Sequence, residues 1–354
     1  MDMSKIFLKG ACPTAIGGQA LIEGIMMRGP DRTAVASRLP DGRIFIKTKR
    51  NRQSSGWMKI PLIRGVVSFV VSLVEGTRTL TYAADVQEYF MDDEEEEGEE
   101  PGRFETWLTE KFGTQAIWNL MVAISVIFAI VFSVVVFVLL PTAVIGWLKP
   151  WIHNAVALNL IEGLLRIVMF IGYIVLIARM QEIHRVFRYH GAEHKTIHCF
   201  ENNLELTPGN AQQFYTLHPR CGTSFLMFVL IISLILFSLL GWPDLKMRIL
   251  SRVLLIPVVA GVSYEVLKWA GRSDNIIVRI LSYPGLLMQK LTTAEPDDSM
   301  LEVAIVSLKA VLVPKDAECI EGICDLDGNL LEPIDLEKAR KEKEAQQTAA
   351  QTGN

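Results

Sequence analysis

The sequence has few cysteines, little net charge and no early apolar segment, and each shortage narrows the choice of protein class. Five cysteines scattered over 354 residues do not suggest a disulfide framework, so a reducing, cytoplasmic environment is expected. A formal net charge of −4 gives no basic field to attract nucleic acid, and we expect no nucleic-acid partner. No apolar segment precedes Gly10, so no cleavable signal peptide is expected.

Apolar runs, in contrast, are abundant, and half of the residues are hydrophobic, more than an ordinary soluble enzyme of this size contains. Residues 117–140 and 225–242 carry no charge and are long enough to cross hydrocarbon. Residues 160–178 and 249–264 include charged side chains that would pair inside a bundle or lie at its interface. The sequence therefore predicts a mainly α, integral membrane helical bundle of about four spans, with the lipid bilayer as its partner.

The distribution of Lys and Arg predicts how these spans are oriented. Both residue types are frequent before residue 117 and again in residues 179–223, whereas residues 141–159 contain only Lys149. By the positive-inside rule, both termini and the histidine-rich loop of residues 179–223 lie in the cytoplasm of a multi-pass protein of the inner (plasma) membrane. Three basic residues after residue 242 do not fit this orientation.

Residues 1–60 are predicted to form a small α+β cytoplasmic module. Within it, Pro40-Asp41-Gly42 is a turn signal between two alternating stretches, which predicts a β-hairpin. Residues 61–91 begin with an apolar stretch that is too short to span and includes Arg64, so an interfacial or re-entrant helix is expected. Residues 92–103 are dominated by acidic side chains and are expected to be a solvated linker.

The chain becomes polar again after the last apolar run. Residues 271–335 are predicted to form a second cytoplasmic module, with a helix from about Ser299 to Val311 that follows a turn. Residues 336–354 are charged and then rich in Gln, Thr and Ala, and we expect a disordered tail or a frayed helix there.

Four of the six histidines lie within fifteen consecutive residues; they are His184, His190, His194 and His198. Two imidazoles four residues apart on a helix point the same way and can bind one metal ion. The order His190, Glu193, His194 is also the inverted zincin pattern, in which the histidines hold zinc and the glutamate activates water. We therefore predict a divalent-metal cofactor, zinc by its ligands, with His190 and His194 as ligands and Glu193 as the general base.

Further ligands must come from other parts of the chain. A helix over residues 182–201 would set His190 and His198 about 12 Å apart, so one ion cannot bind all three histidines of that stripe. His198 is therefore an alternative ligand, and His218 is the expected ligand from outside the helix. Two carboxylates are further candidate oxygen ligands: Glu201 and Glu265. The competing interpretation is a set of interfacial histidines hydrogen-bonded to carboxylates or lipid headgroups.

A second polar motif, His-Pro-Arg-Cys-Gly-Thr-Ser, immediately precedes the span that begins at residue 225. Its proline and glycine impose an irregular backbone at the membrane boundary, where such a backbone persists only if it is packed or lines a polar cavity. Cys221 is either a soft metal ligand or a catalytic nucleophile with His218 as its base, and Arg220 supplies the charge of the motif. The alternative is a small residue that packs at the start of the span.

Residues 17–30 form a glycine-rich stretch whose polar members are Gln19, Glu23 and Arg28. Its glycines would let the backbone approach a ligand, with Glu23 and Arg28 supplying charge. It lacks the Lys and Ser/Thr of a phosphate-binding P-loop, so nucleotide binding is only weakly indicated. A structural turn with a buried ion pair is the alternative. Glu295 either adds an oxygen ligand or belongs to the start of the predicted helix that follows.

Seven stretches between residues 17 and 309 together resemble one known family. They are GGQALIEGIMMRGP (17–30), PLIRGVVS (61–68), RVFRYHGAEHKTI (185–197), HPRCGTSF (218–225), LLIPVVAGVSYE (254–265), YPGLLMQKLTTAEPDD (283–298) and LEVAI (301–305). With these motifs the chain resembles the YqhQ-like family, bacterial membrane proteins of unknown function described as predicted metal-dependent enzymes. The resemblance implies an integral membrane protein with a metal-binding histidine motif, and it supplies no known reaction.

Three functions remain open on the sequence alone, which does not decide whether the chain is an enzyme. The first is a metal-dependent hydrolase at the cytoplasmic face, acting on a peptide, lipid or phosphoester near the membrane. The second is a non-enzymatic scaffold or assembly factor, whose partner is another membrane protein or a second copy of the chain. The third is a transporter, suggested by charges in or near the spans but without a repeat.

Overall fold

The computed structural model describes residues 12, 14–51, 60–91, 114–241, 244–270 and 275–343. The chain divides into two compact units: the larger comprises residues 1–90, 174–232 and 252–354, and the smaller comprises residues 91–173 and 233–251. The fold is mainly helical with one small antiparallel sheet, as predicted. The predicted acidic linker lies outside the described residues. Of the predicted tail, residues 336–343 are helical and the remainder lies outside the described part.

A six-stranded antiparallel sheet lies in the larger unit, and its strands are neighbours in chain order. The strands are β1 (Gly17–Leu21), β2 (Gly24–Arg28), β3 (Arg32–Arg38), β4 (Ile44–Arg50), β5 (Glu321–Cys324) and β6 (Leu330–Pro333). β4 pairs with β5, so that Ile44 lies opposite Cys324. The two cytoplasmic modules that the sequence suggested separately, residues 1–60 and 271–335, therefore share one sheet.

Local sequence explains the two N-terminal hairpins. β3 and β4 pair on either side of Pro40-Asp41-Gly42, and Gly42 has a φ of 85°, a left-handed conformation that glycine adopts without steric cost. β1 and β2 pair on either side of a two-residue turn, Ile22 and Glu23. Most of the glycine-rich stretch of residues 17–30 is thus a β-hairpin.

The described α-helices are α1 (Ile63–Phe90), α2 (Thr114–Val134), α3 (Leu140–Leu148), α4 (Ala155–Ile177), α5 (Gln181–Glu201), α6 (Pro208–Gln212), α7 (Gly222–Ser238), α8 (Leu245–Ala270), α9 (Ile276–Thr292) and α10 (Asp298–Leu312). A π-helical segment, Val135–Leu139, joins α2 to α3. α1 occupies the region predicted to be an interfacial or re-entrant helix, and it exposes Val70, Leu73 and Val74.

Helices cover both faces of the sheet because side chains alternate along each strand. α5 packs on β1, and α10 packs on β2 and β3. Ile25 and Met27 of β2 lie in the core on this side, together with α5 and α10. Met26, between them in sequence, points to the other face and packs with Leu21 against Ala83 of α1. The sheet edge formed by β1 thereby lies over α5, the helix that carries the histidine motif.

Within the described part of the chain, three helical segments are long and apolar enough to cross a membrane: Ala123–Leu148, Ala155–Ile177 and Lys246–Trp269. Helix α7 is also apolar but has only 17 residues. These four segments coincide in position with the four predicted spans. In the smaller unit, the buried carboxylate of Glu162 pairs with Arg166 one turn later and accepts a hydrogen bond of 2.9 Å from the Thr142 hydroxyl. Such pairing is what charged side chains within an apolar helix require.

The predicted span boundaries differ from the helix ends by several residues, and local features explain the difference in two of the spans. The helix predicted over residues 117–140 continues to Leu148, because the π-helical segment places Pro141 in the first turn of α3, where proline is tolerated. The helix predicted over residues 225–242 ends at Ser238, and the chain then turns at Gly241, whose φ is 71°. Helix α7 therefore ends before its charge-free run does.

Candidate metal centre

Helix α5 carries the histidine motif, and its second half is surrounded by protein. On the sheet side, Tyr189, Ala192 and Ile197 lie in the main core. The backbone that follows α9 lies against α5 at Gly191, so closely that a Cβ at this position would overlap the carbonyl oxygen of Ala294. The polar side chains of the motif are buried together with the apolar ones, so they must find their partners inside the protein.

His190 and His194 are oriented in the same way. The Nδ1 atom of His190 lies 2.7 Å from the carbonyl oxygen of Thr292, and the Nδ1 atom of His194 lies 2.5 Å from that of Thr216. A carbonyl can only accept, so both rings carry a hydrogen on Nδ1 and present a lone pair on Nε2. Metal-binding histidines are typically oriented by this kind of hydrogen bond from the second ring nitrogen.

Cys221 meets both imidazoles from the segment that precedes α7. Its Sγ lies 3.1 Å from Nε2 of His190. One ligand atom from each of His190, His194 and Cys221 lies within 4.8 Å of the other two. The backbone N–H of Thr223 approaches the same sulphur at 3.4 Å, in the first turn of α7. Two imidazoles and a thiol are ligand types that zinc sites use. We call His190, Glu193, His194 and Cys221 the histidine–cysteine group.

Glu193 joins this group from the sheet side. The N–H of Gly18 in β1 donates to its carboxylate, and a Cβ at Gly18 would lie 2.8 Å from the carboxylate carbon. The second carboxylate oxygen, Oε2, and the Nε2 atom of His194 are buried and have no hydrogen-bond partner among the described residues. Two such atoms in one small group indicate that a further species belongs there.

Burial determines most of the electrostatics of the group. It raises the pKa of Glu193 to about 7, which nearby His190 partly opposes. Burial lowers the pKa of His194 to about 4, so this imidazole is neutral at physiological pH and its Nε2 can act as a ligand. Burial alone would raise the pKa of the Cys221 thiol, but His194 and Thr223 bring that pKa below its ordinary value.

His198, Glu201 and His218 form a second cluster that a cationic side chain already fills. The guanidinium of Arg220 binds Glu201, and Thr14 donates to the same carboxylate from its N–H at 2.8 Å and its hydroxyl at 2.9 Å. Burial would raise the pKa of Glu201, but His218, Thr14 and Arg220 lower it to about 2. The adjacent guanidinium would repel a metal ion, so this cluster is an internal ion-pair network.

The structure therefore divides the predicted metal ligands differently. His218 was expected beside His190 and His194, yet its Nε2 faces Glu201 at 3.6 Å and its ring centroid lies 5.7 Å from that of His194. The reason is the course of the segment 216–221, whose carbonyl at Thr216 meets His194 while its end brings Cys221 into the group. His198 lies with His218, as its distance along α5 from His190 requires.

The polar residues predicted near the N-terminus lie outside the histidine–cysteine group. Gln19 donates to the carbonyl of Gly76 in α1 at 3.4 Å. Glu23 pairs with Arg185 of α5 and not with Arg28, which lies at the exposed end of β2. The ion pair of this stretch thus has another cation, is partly exposed rather than buried, and joins the hairpin to α5.

The two remaining predicted carboxylates also bind cationic side chains. Glu265 in α8 pairs with Arg64 in α1. Glu295 is largely exposed and lies 2.8 Å from the buried ammonium group of Lys195. Neither supplies an oxygen to the histidine–cysteine group.

Sequence reasoning missed the residues that support the site through their backbone. The carbonyls of Thr216 and Thr292 and the N–H of Gly18 have no side-chain signature. Gln289 offered a signal, because a polar side chain in an apolar helix needs partners. Its amide accepts from the His218 N–H and donates to the His218 carbonyl, both at 2.8 Å, and so fixes the segment that carries Cys221.

Comparison with known proteins identifies relatives but not a function. A family model described as "Protein of unknown function (DUF1385)" matches residues 60–313. The chain is 37% identical over 308 residues to "Uncharacterized protein YqhQ" of Bacillus subtilis (strain 168), an alignment that covers 86% of this chain and 94% of that protein. No solved structure matches. The matched family range contains all four members of the histidine–cysteine group and leaves out β1 to β4.

Proposed function

This chain belongs to the DUF1385 family of proteins of unknown function, and from that premise and the geometry of α5 we propose that it is a membrane-bound, metal-dependent hydrolase. In this proposal His190 and His194 bind a divalent cation and Glu193 is the general base. The observation that carries it is that two buried atoms on consecutive residues of α5, Oε2 of Glu193 and Nε2 of His194, have no hydrogen-bond partner among the described residues.

The cost of leaving these atoms unsatisfied supports a bound cation. A buried polar group without a hydrogen bond costs about 1–3 kcal/mol, and the two lie within one group that is almost wholly enclosed. Glu193 is 5% exposed and His194 is 1% exposed, so bulk water does not satisfy them. Imidazole nitrogens with an adjacent carboxylate are suited to zinc among the divalent cations.

The proposed reaction is hydrolysis of a carbonyl or phosphoryl bond. A cation bound at His190 and His194 would polarise the oxygen of the scissile group. Glu193 accepts a proton from water while the water oxygen forms a bond to the carbonyl carbon or phosphorus. Glu193 then gives that proton to the leaving group as the original bond breaks. Gly18 fixes one carboxylate oxygen and leaves the other for this proton transfer.

One contact favours a second chemistry on the same residues. The distance of 3.1 Å between Cys221 Sγ and His190 Nε2 is that of a thiol and its base in cysteine-dependent hydrolases. Such an enzyme would form a covalent bond between its sulphur and the substrate. It would not need Glu193 or a metal ion, so the two chemistries make different predictions for Glu193→Gln.

The apolar helices support the proposed membrane attachment, and the sheet supports an even number of crossings. α5 and α10 both pack on the sheet, so both lie on its side of the membrane. Two candidate spans, Ala123–Leu148 and Ala155–Ile177, separate β4 from α5. Between α5 and α10 only Lys246–Trp269 is long enough by itself, and a return to the same side requires α7 to cross as well. We propose four spans, with the sheet and both termini in the cytoplasm.

Metal content of the detergent-purified full-length protein tests the proposal. We expect about one equivalent of zinc in the wild type and in His184→Ala, an exposed histidine of the same helix. His190→Ala and His194→Ala should retain at least about tenfold less, because each removes a ligand. Glu193→Gln should keep the metal and lose hydrolysis, measured with casein, phospholipid vesicles and a phosphate monoester as probes.

Two results would count against the hydrolase. Equal metal content in wild type, His190→Ala and His194→Ala would show that these imidazoles are not ligands. Full hydrolytic activity of Glu193→Gln, with activity lost in Cys221→Ser, would transfer the chemistry to the thiol and its histidine base.

A further inference from the structure

The role of Cys221 is the question that the proposed metal site leaves open. It lies in a segment with an irregular backbone, one residue before α7, and its thiol is buried. Two imidazoles approach this one sulphur, since His190 Nε2 lies at 3.1 Å and His194 Nε2 belongs to the same set of atoms within 4.8 Å. A nucleophilic cysteine needs one base, so the second imidazole is unexplained by that chemistry.

The group contains more acceptor atoms than hydrogens to satisfy them. His190 and His194 use their ring hydrogens on the carbonyls of Thr292 and Thr216, so both Nε2 atoms are acceptors. A thiol at Cys221 has one hydrogen and can satisfy one of them. The remaining Nε2 and the Oε2 of Glu193 then still lack a partner among the described residues. A divalent cation would accept the lone pairs of both Nε2 atoms and of the sulphur, and Glu193 Oε2 would stay free for its role as general base.

Distances within the group agree with a single ion. Zinc bonds of about 2.0–2.1 Å to nitrogen and about 2.3 Å to sulphur, in tetrahedral geometry, set neighbouring ligand atoms roughly 3.3–3.6 Å apart. The contact of 3.1 Å between Cys221 Sγ and His190 Nε2 is slightly shorter than that separation, and the ligand atoms of all three residues lie within 4.8 Å of one another. The N–H of Thr223 also points at the sulphur, which favours the thiolate form that binds metals.

We propose that Cys221 is the third protein ligand of the metal centre, so that His190, His194 and the Cys221 thiolate bind one ion beside Glu193. This inference rests on the proposed function, because it presumes that the two histidines hold a cation. The thiol gives its proton to solvent when the metal–sulphur bond forms. A thiolate ligand selects thiophilic ions such as zinc or cobalt over magnesium, calcium or manganese.

X-ray absorption at the zinc edge of the purified full-length protein tests the inference directly. The expected spectrum of the wild type has one sulphur neighbour at about 2.3 Å and nitrogen or oxygen neighbours at about 2.0–2.1 Å. Cys221→Ser should lose the sulphur neighbour and hold zinc at least about tenfold less tightly. Cys199→Ser is the matched control: Cys199 is also buried, on α5, but its thiol donates to a backbone carbonyl away from the group.

The possible outcomes separate this inference from the proposed function. Zinc with only nitrogen and oxygen neighbours in the wild type would refute Cys221 as a ligand and leave the metal-dependent hydrolase intact. A wild type that retains no metal would refute both. If Cys221→Ser does not fold, the wild-type spectrum still decides. In that case protection of Cys221 from iodoacetamide by zinc, reversed by a chelator, gives an independent reading.

Discussion

Gly18 shows how a residue without a side chain can determine a site. Its N–H holds one oxygen of Glu193, and the space that a Cβ would fill is occupied by the carboxylate of Glu193 and the backbone of Met26. Gly17, its neighbour in β1, has no atom within 4 Å of the corresponding position. The two glycines are adjacent in sequence and therefore provide a matched pair.

Gly18→Ala should displace Glu193 and destabilise the protein by about 1–3 kcal/mol, the usual cost of forcing extra volume into a packed site. Gly17→Ala should change stability by less than about 0.5 kcal/mol. Thermal unfolding in detergent measures the loss of stability, and hydrolysis by the folded fraction measures the displacement of Glu193. Equal behaviour of the two variants would contradict the close contact between β1 and Glu193.

The sequence predicted part of this site, and the part it missed has a physical explanation. The spacing of His190, Glu193 and His194 on one helix was sufficient to predict that they lie together, because helix geometry fixes positions three and four residues apart. Cys221 could not be assigned in the same way. It is brought to the group by the packing of a non-helical segment, and the position of such a segment cannot be predicted from the periodicity of the local sequence.

Among the elements, α5 is held at its C-terminal end by a buried carboxylate. There the carboxylate of Glu201 connects three separate parts of the chain: α5 itself, Thr14 before β1, and the segment that carries His218 and Arg220. The pKa of this carboxyl is lowered to about 2, which means that the folded protein prefers the ionised form. Because an unfolded glutamate has a pKa near 4.5, this preference stabilises the fold above that pH and is lost as the pH falls towards 2.

Glu201→Gln should therefore lower stability by on the order of 2–3 kcal/mol at pH 7, and the difference from wild type should shrink below pH 4.5. Unfolding by denaturant in detergent, repeated between pH 7 and pH 3, checks the sign and the pH range. Glu205→Gln, an exposed carboxyl just beyond α5, is the control and should match wild type throughout. A deficit that stays constant down to pH 3 would argue against the ion-pair network.

The elements themselves were predicted unequally. The β3–β4 hairpin followed from its turn residues and the apolar helices from their length, because both signals are local. The pairing of β4 with β5 joins residues more than two hundred and fifty positions apart, and register between such strands depends on the final packing. The sequence for the same reason suggested two cytoplasmic modules where the structure has one sheet.

At the scale of the whole molecule, the proposed four-span topology can be tested at the short connection between α7 and α8. If α7 and α8 both cross, residues 239–244 between them face the side of the membrane opposite the sheet. The length of α7 fits a crossing, because its 17 residues span about 25 Å and a slightly thin bilayer accommodates the difference.

A cysteine introduced by Leu240→Cys should react with a membrane-impermeant maleimide added to intact cells. Glu205→Cys, just after α5, should react with the same maleimide only after the membrane is permeabilised. The exposed native Cys12 and Cys319 adjoin the sheet and would behave like Glu205→Cys. Labelling of both introduced cysteines from the same side would exclude the four-span arrangement.

The late position of β5 in the chain has a consequence for biosynthesis. β4 precedes the described apolar helices in the chain, whereas its partner strand β5 follows all of them and therefore leaves the ribosome only after they have been synthesised. Until then the outer edge of β4 has unpaired backbone N–H and C=O groups, which could pair with a strand of another chain. An incomplete chain that lacks β5 therefore exposes this edge of β4. In the folded protein the β5–β6 hairpin covers the edge by pairing with β4.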